Sequence, residues 1–176
     1  MIRLLCIEYR DIFPNILSSQ PASIPPFDLV VQDPKWRVSK NRQPPTPQSA
    51  ANQKEITKQL NILTDQGIIE KCTAAYHSQG FLVTKADRSK RCVIDYRNLN
   101  KCTGHTSWPV PNITGMLQRI GSQKPTIFGT VDFAQADHQA ALTLATIKYT
   151  LFILYSGIYQ FTRLPFGLKQ APSYFQ

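Results

Sequence analysis

Proline placement constrains this chain more than any other feature. Pro14, Pro21, Pro25, Pro26 and Pro34 punctuate the first 34 residues, and Pro44, Pro45 and Pro47 follow. Each fixes φ, removes a backbone donor and breaks a helix interior, so residues 14–47 cannot hold a long helix. Ahead of them, residues 2–13 read as a short amphipathic helix, with Leu4, Leu5, Glu8 and Tyr9 on neighbouring turns; the proline-bearing stretch that follows, to residue 34, reads as extended linker. The first long helix is expected over 48–66, where Ile56, Leu60 and Leu63 share a face and Gly67 supplies the stop. Apolar, β-rich runs at 80–85 and 91–95 read as a hairpin with the basic tip Ala86-Asp87-Arg88-Ser89-Lys90. Pro111 in a first turn starts a short helix through Met116, Leu117 and Ile120, closed by Gly121. Residues 126–132 read as a buried strand ending in a carboxylate. Residues 149–155 and 158–163 read as a second hairpin around Ser156-Gly157, and a further helix is expected from Leu164 onward. Together these elements give an α+β chain with mainly antiparallel pairing.

Charge narrows the partners. The net charge of +9 is concentrated in residues 35–101, which carry thirteen basic and five acidic side chains. Such a segment suits a polyanion, because each phosphate neutralised releases counterions; a solvated lysine-rich surface is the plainer reading of the same feature. Cys6, Cys72, Cys92 and Cys102 form no CxxC or Cys/His ligand pattern, and His77, His105 and His138 have no metal-ligand spacing. Reduced thiols and no zinc site are therefore expected. No apolar run reaches membrane-spanning length, and Glu8 and Asp11 interrupt the N-terminus too early for a signal peptide. The expectation is a soluble intracellular protein of the cytoplasm, a virus-like particle or the nucleus, with no membrane partner.

The motifs carry the function. In order stand Arg91, Asp95-Tyr96-Arg97-Asn98-Leu99-Asn100, Trp108-Pro109-Val110-Pro111-Asn112 and Val131-Asp132-Phe133. The last is Leu164-Pro165-Phe166-Gly167-Leu168-Lys169-Gln170-Ala171-Pro172-Ser173-Tyr174-Phe175-Gln176. This ordered set resembles the fingers and early palm of a reverse transcriptase, an RNA-directed DNA polymerase, of a Ty3/Gypsy-type LTR retrotransposon. The resemblance runs from about Trp36 to Gln176. It implies residues 1–35 as a linker or N-terminal extension and 36–176 as a partial polymerase domain, with polymerase-like fingers on an incomplete palm. It also implies two more catalytic aspartates in an aromatic-x-Asp-Asp hairpin beyond Gln176, so this chain alone is expected to be inactive.

Asp132 is the first candidate for chemistry. A carboxylate ending an apolar strand can hold Mg²⁺, a hard cation that prefers oxygen, or cap the next turn. By resemblance it is the first metal-binding, catalytic aspartate, with the Phe133 carbonyl as a second ligand to Mg²⁺ or Mn²⁺ in the complete polymerase. Asp137 is the only other acid after Asp95, and an offset of five shares no face of a strand or helix with Asp132. Resemblance further implies that Lys85 and Arg91 grip the triphosphate of a dNTP, and that Ala136, Asp137, Phe166 and Gly167 line the nucleotide site. Phe81, Arg97 and Lys169 are the implied contacts to an RNA/DNA template-primer; an aromatic can stack on a base and an arginine can pair with phosphate. Asp137 departs from the pattern. The family places an aromatic there, under the incoming sugar, where it rejects a ribose 2′-hydroxyl; an aspartate removes that surface and sets negative charge near a triphosphate. Three readings stay open: a polymerase fragment, a nucleic-acid-binding remnant without catalysis, and a decayed product.

Overall fold

The computed structural model describes residues 4, 7–10, 18–104, 111–130 and 132–175. Most of the helix expected over 2–13, Trp108-Pro109-Val110 and Val131 lie outside these residues. In chain order the elements are α1 (Asp33–Trp36), α2 (Ala50–Asp65), β1 (Ile69–Cys72), β2 (Ser78–Thr84), β3 (Lys90–Asp95), α3 (Arg97–Cys102) and α4 (Ile113–Ser122). Then follow α5 (Ala136–Gln139), α6 (Leu144–Ile147), β4 (Phe152–Leu154), β5 (Gly157–Phe161) and α7 (Ala171–Tyr174).

Local chemistry explains the bounds of α2. Ser49 caps it by accepting the Asn52 N–H at 3.3 Å, and Ile56 and Leu60 bury the face expected of them. The basic hairpin forms as read: six residue pairs join β2 to β3, and the Asp87 carboxylate accepts from the Ser89 N–H and hydroxyl to close the tip. The second hairpin also forms, with β4 antiparallel to β5.

The five strands make one sheet in the order β1-β5-β4-β2-β3. All strand pairings are antiparallel except that between the two hairpins, where Ser78 and Gln79 of β2 run parallel to Phe152 and Ile153 of β4. Gly80 sits at this junction, where an added Cβ would fall 2.7 Å from the Leu154 side chain and 3.3 Å from the Ile153 carbonyl. The core holds Trp36, Ile56, Ile68, Tyr96, Leu99, Phe152 and Leu164, each 2% exposed or less. Tyr96 is buried yet satisfied, since its hydroxyl donates to the Thr150 carbonyl at 2.8 Å.

The stretch read as extended linker packs onto this fold from Ser18 onward. Phe27 bridges Leu142 in parallel and Val31 bridges Thr103. Phe27 and Leu29 are buried, with Phe27 edge-on to Tyr174 at 5.4 Å. The Asp28 carboxylate accepts from the Thr143 and Thr146 hydroxyls at 2.6 and 3.2 Å. Proline keeps the segment out of a helix, and its free backbone groups pair with the body of the domain instead.

Three expectations need correction. Residues 126–130 and 132 form no strand and are exposed, with Ile127 at 82% and Phe128 at 74%; both edges of the described sheet, β1 and β3, run elsewhere. No residue of α4 is buried either. This helix begins at Ile113 rather than at Pro111, because the Asn112 side chain caps it through the Gly115 N–H. The helix expected from Leu164 does not start there. Pro165 and Gly167 (φ +96°) shape a turn, and the helix waits until Ala171.

Urea denaturation should separate the buried segment from the exposed one. Phe27→Ala is expected to cost about 3–5 kcal/mol, whereas Phe128→Ala should stay within about 0.5 kcal/mol. Equal losses would contradict this packing.

Candidate functional site

A cleft of about 860 Å³ opens between the basic hairpin, α2 and the turn after β5. The hairpin contributes Lys85, Lys90 and Arg91; residues 133–138 contribute Phe133, Gln135, Ala136 and His138; the turn contributes Phe166 and Gly167. Phe152 and Phe161 of the sheet form part of its lining. Three separated motifs therefore meet in one concavity, with cations on one wall and aromatic rings on another.

The rings make a continuous row. The Arg91 guanidinium stands 4.7 Å from the Phe166 ring centre. Phe166 meets His138 edge-on at 4.7 Å, His138 stacks near Phe161 at 6.0 Å, and Phe161 leans on Phe152 at 5.1 Å. His138 is buried, and its Nδ1–H donates to Gln135 Oε1 at 3.0 Å. Burial, with the charges of Arg91 and Arg163 added, pushes its pKa down to about 4, so near neutrality the ring is uncharged.

Arg163 lies behind this row. Its guanidinium is buried and donates to the carbonyls of His138 (3.2 Å), Ser18 (3.0 Å) and Ser19. Burial lowers its pKa, and three neutral carbonyls stand where a carboxylate would be usual. The arginine thus ties the N-terminal segment to the backbone that carries His138.

Among the residues expected to act at a site, Lys85, Arg91, Phe133, Ala136, Phe166 and Gly167 share the cleft. Asp132 is exposed and does not line it, although Phe133 beside it does. Asp137 does not line it either; it is half-buried, and burial pushes its carboxyl pKa up. Phe81 lies on β2 opposite Val93, which lines the cleft, but Phe81 itself does not. Arg97 forks onto Asp95 with bonds of 2.8 and 2.6 Å, which holds the Asp95 carboxyl below its usual range. The Lys169 ammonium donates to the Thr103 carbonyl at 2.9 Å. Sequence reasoning missed His138, Arg163 and Asn100. Each lay within or beside a quoted motif, but only the fold shows what each touches.

Among the described residues no three His, Cys, Asp or Glu side chains cluster to hold a metal. Asp132 with a neighbouring carbonyl offers oxygen donors of the right kind for Mg²⁺ and in part of the usual number, since such ions are held by one or two carboxylates together with substrate phosphates. No helix among these residues is long and apolar enough to cross a membrane.

No family model matches the chain. It is 35% identical over 181 residues to the retrovirus-related Pol polyprotein from transposon 412 of Drosophila melanogaster, a match covering 98% of this chain and 14% of that protein. It is 34% identical over 135 residues to the corresponding polyprotein from transposon 297 of the same fly, covering 74% and 13%. The enzymatic polyprotein of Cauliflower mosaic virus (strain Strasbourg) is 32% identical over 136 residues, covering 75% and 20%. The chain thus spans about one seventh of the fly polyproteins. Among solved structures, the foamy viral protease-reverse transcriptase in complex with dsDNA matches with a TM-score of 0.76 and 21% identity, over 99% of this chain and 36% of that one. The same protein in complex with RNA/DNA hybrid matches with a TM-score of 0.75 and 21% identity, over 99% and 23%.

The buried imidazole sets an acid limit. Unfolded histidine takes up its proton near pH 6.5, whereas folded His138 does so only near 4. Its neutral form therefore supports the fold fully above pH 6.5, and that support is lost as pH falls from about 6.5 to about 4. The loss is of order 3 kcal/mol. Melts across this window should fall more steeply for the unmodified chain than for His138→Phe; matching slopes would contradict the burial.

Proposed function

We propose that this chain, which belongs to the reverse-transcriptase family of retrotransposon Pol polyproteins, forms the dNTP-binding fingers and first palm segment of an RNA-directed DNA polymerase. The observation that carries this reading is the convergence of Lys85, Arg91, Phe133, Ala136, Phe166 and Gly167 in one cleft. In the proposed complex Lys85 places a point charge on a triphosphate, and the Arg91 fork pairs with its oxygens. Phe166 offers a face to the sugar, while neutral His138 stiffens that ring from behind without adding charge. Template and primer lie along the basic fingers, where Phe81 and Arg97 face nucleic acid. Asp132 and the Phe133 carbonyl would supply part of the ligand set for Mg²⁺ or Mn²⁺; a two-metal nucleotidyl transfer uses two such ions, one to activate the attacking 3′-hydroxyl and one to steady the pyrophosphate. Asp132 and Asp137 are the only acids after Asp95, so we propose that this stretch alone does not extend a primer.

Asp137 favours a second reading, nucleic-acid binding without catalysis. A carboxylate at the position of the sugar-facing aromatic leaves no ring to exclude a ribose 2′-hydroxyl. The basic hairpin is unaffected by that change.

Fluorescent dNTP titration in Mg²⁺ tests the first reading. Saturable binding is expected, weakened about tenfold or more in Arg91→Ala, because hydrogen bonds to charged groups contribute roughly 1.5–3 kcal/mol. Absent binding, or binding indifferent to Arg91, sinks it. Salt-dependent RNA binding with no nucleotide affinity supports the second reading. Primer extension by this chain, abolished in Asp132→Asn, overturns the proposed inactivity.

A further inference from the structure

Asparagine is a poor interior residue for a helix, because its side chain competes for backbone groups. Asn100 nevertheless sits in the middle of α3, and its carboxamide faces another part of the chain. The Nδ2 group donates to the Gly167 carbonyl at 2.8 Å, and Oδ1 accepts the Lys169 N–H at 3.0 Å. The amide therefore meets the turn as a second backbone strand would, donor to acceptor and acceptor to donor. Two further bonds extend this seam, from the Lys169 ammonium to the Thr103 carbonyl at 2.9 Å and from the Gln170 amide to the Gly104 carbonyl at 3.2 Å. Beneath it lies Tyr96, buried and 3.8 Å from where a Cβ on Gly167 would stand.

The turn needs such a fixture. Gly167 has φ +96°, a conformation that only glycine adopts readily, and no regular element holds residues 165–170. Phe166 and Gly167 are nonetheless walls of the cleft, and Phe166 is the ring that Arg91 and His138 both touch.

We infer that Asn100 is the positioning residue of the cleft: its carboxamide braces the turn that presents Phe166 and Gly167, although Asn100 itself does not line the cleft. The charged side chain reaching this seam from the turn is Lys169, and its ammonium is occupied by Thr103. The brace is a property of the fold; only its effect on nucleotide binding rests on the function proposed above.

NMR on this chain tests it with two variants. Asn100→Ala removes both bonds. Asn100→Asp, of the same shape, keeps the acceptor for Lys169 and loses the donor for Gly167. In Asn100→Ala the Lys169 amide should lose roughly tenfold in hydrogen-exchange protection, while Phe81 and Val93, paired across the hairpin, keep theirs. In Asn100→Asp the Lys169 amide should stay protected, and only the Gly167 carbonyl carbon should shift. Fluorescent dNTP should bind about threefold to tenfold more weakly to both variants. Unchanged Lys169 protection in Asn100→Ala overturns the brace, as does a loss shared equally by the hairpin amides. Undiminished dNTP affinity in both variants overturns the positioning role. If the unmodified chain binds no dNTP, the proposed function fails, and the exchange pattern alone decides the brace.

Discussion

Two parallel residue pairs, Ser78 with Phe152 and Gln79 with Ile153, hold the two hairpins in one sheet, and the rest of the structure depends on that junction. Parallel pairing is slightly less stable per residue than antiparallel pairing, and two pairs are few. The junction is reinforced from its flanks. The Ser78 N–H donates to the Leu151 carbonyl at 2.8 Å, and the Tyr96 hydroxyl donates to Thr150, one residue further back. Gly80 lets the Leu154 side chain close over β2. Without this join, the basic hairpin would not face residues 133–138 and 166–167, and the cleft would not exist.

A second connection runs through neutral partners. Arg163 gathers the carbonyls of Ser18, Ser19 and His138. A buried cation is costly unless every donor is satisfied, so the arginine fixes those three backbone groups as firmly as they satisfy it. The N-terminal segment is thereby linked to the ring row His138–Phe166 and to Arg91 at the cleft. Bracing of Phe166 comes from two sides, His138 behind the ring and Asn100 beneath the turn.

Elsewhere the chain carries more apolar surface than its described sheet covers. Ile113 and Leu117 of α4, with Ile127 and Phe128 after it, are exposed. The sequence read them as a short helix and a buried strand; the helix forms and the strand does not. A strand, however, is defined by the edge it pairs with, and no edge of the described sheet meets residues 126–130. Composition told what these side chains favour, not what would cover them.

Local chemistry was legible in the sequence. The proline run, the helix around Ile56 and Leu60, the Asp87 turn and the hairpin at Gly157 each depend on residues a few positions apart, and all were read from them. Motif order pointed to the family, and Lys85, Arg91, Phe166 and Gly167 to the cleft. What the sequence could not supply was any relation between distant groups. Nothing in Asn100 announces Gly167, 67 residues away, and nothing in Arg163 announces Ser18, 145 residues away. The sequence by itself determined which short elements form and which residues carry charge and rings. The tertiary structure decided which of them meet, because burial and strand pairing are set by partners that only the folded chain brings within reach.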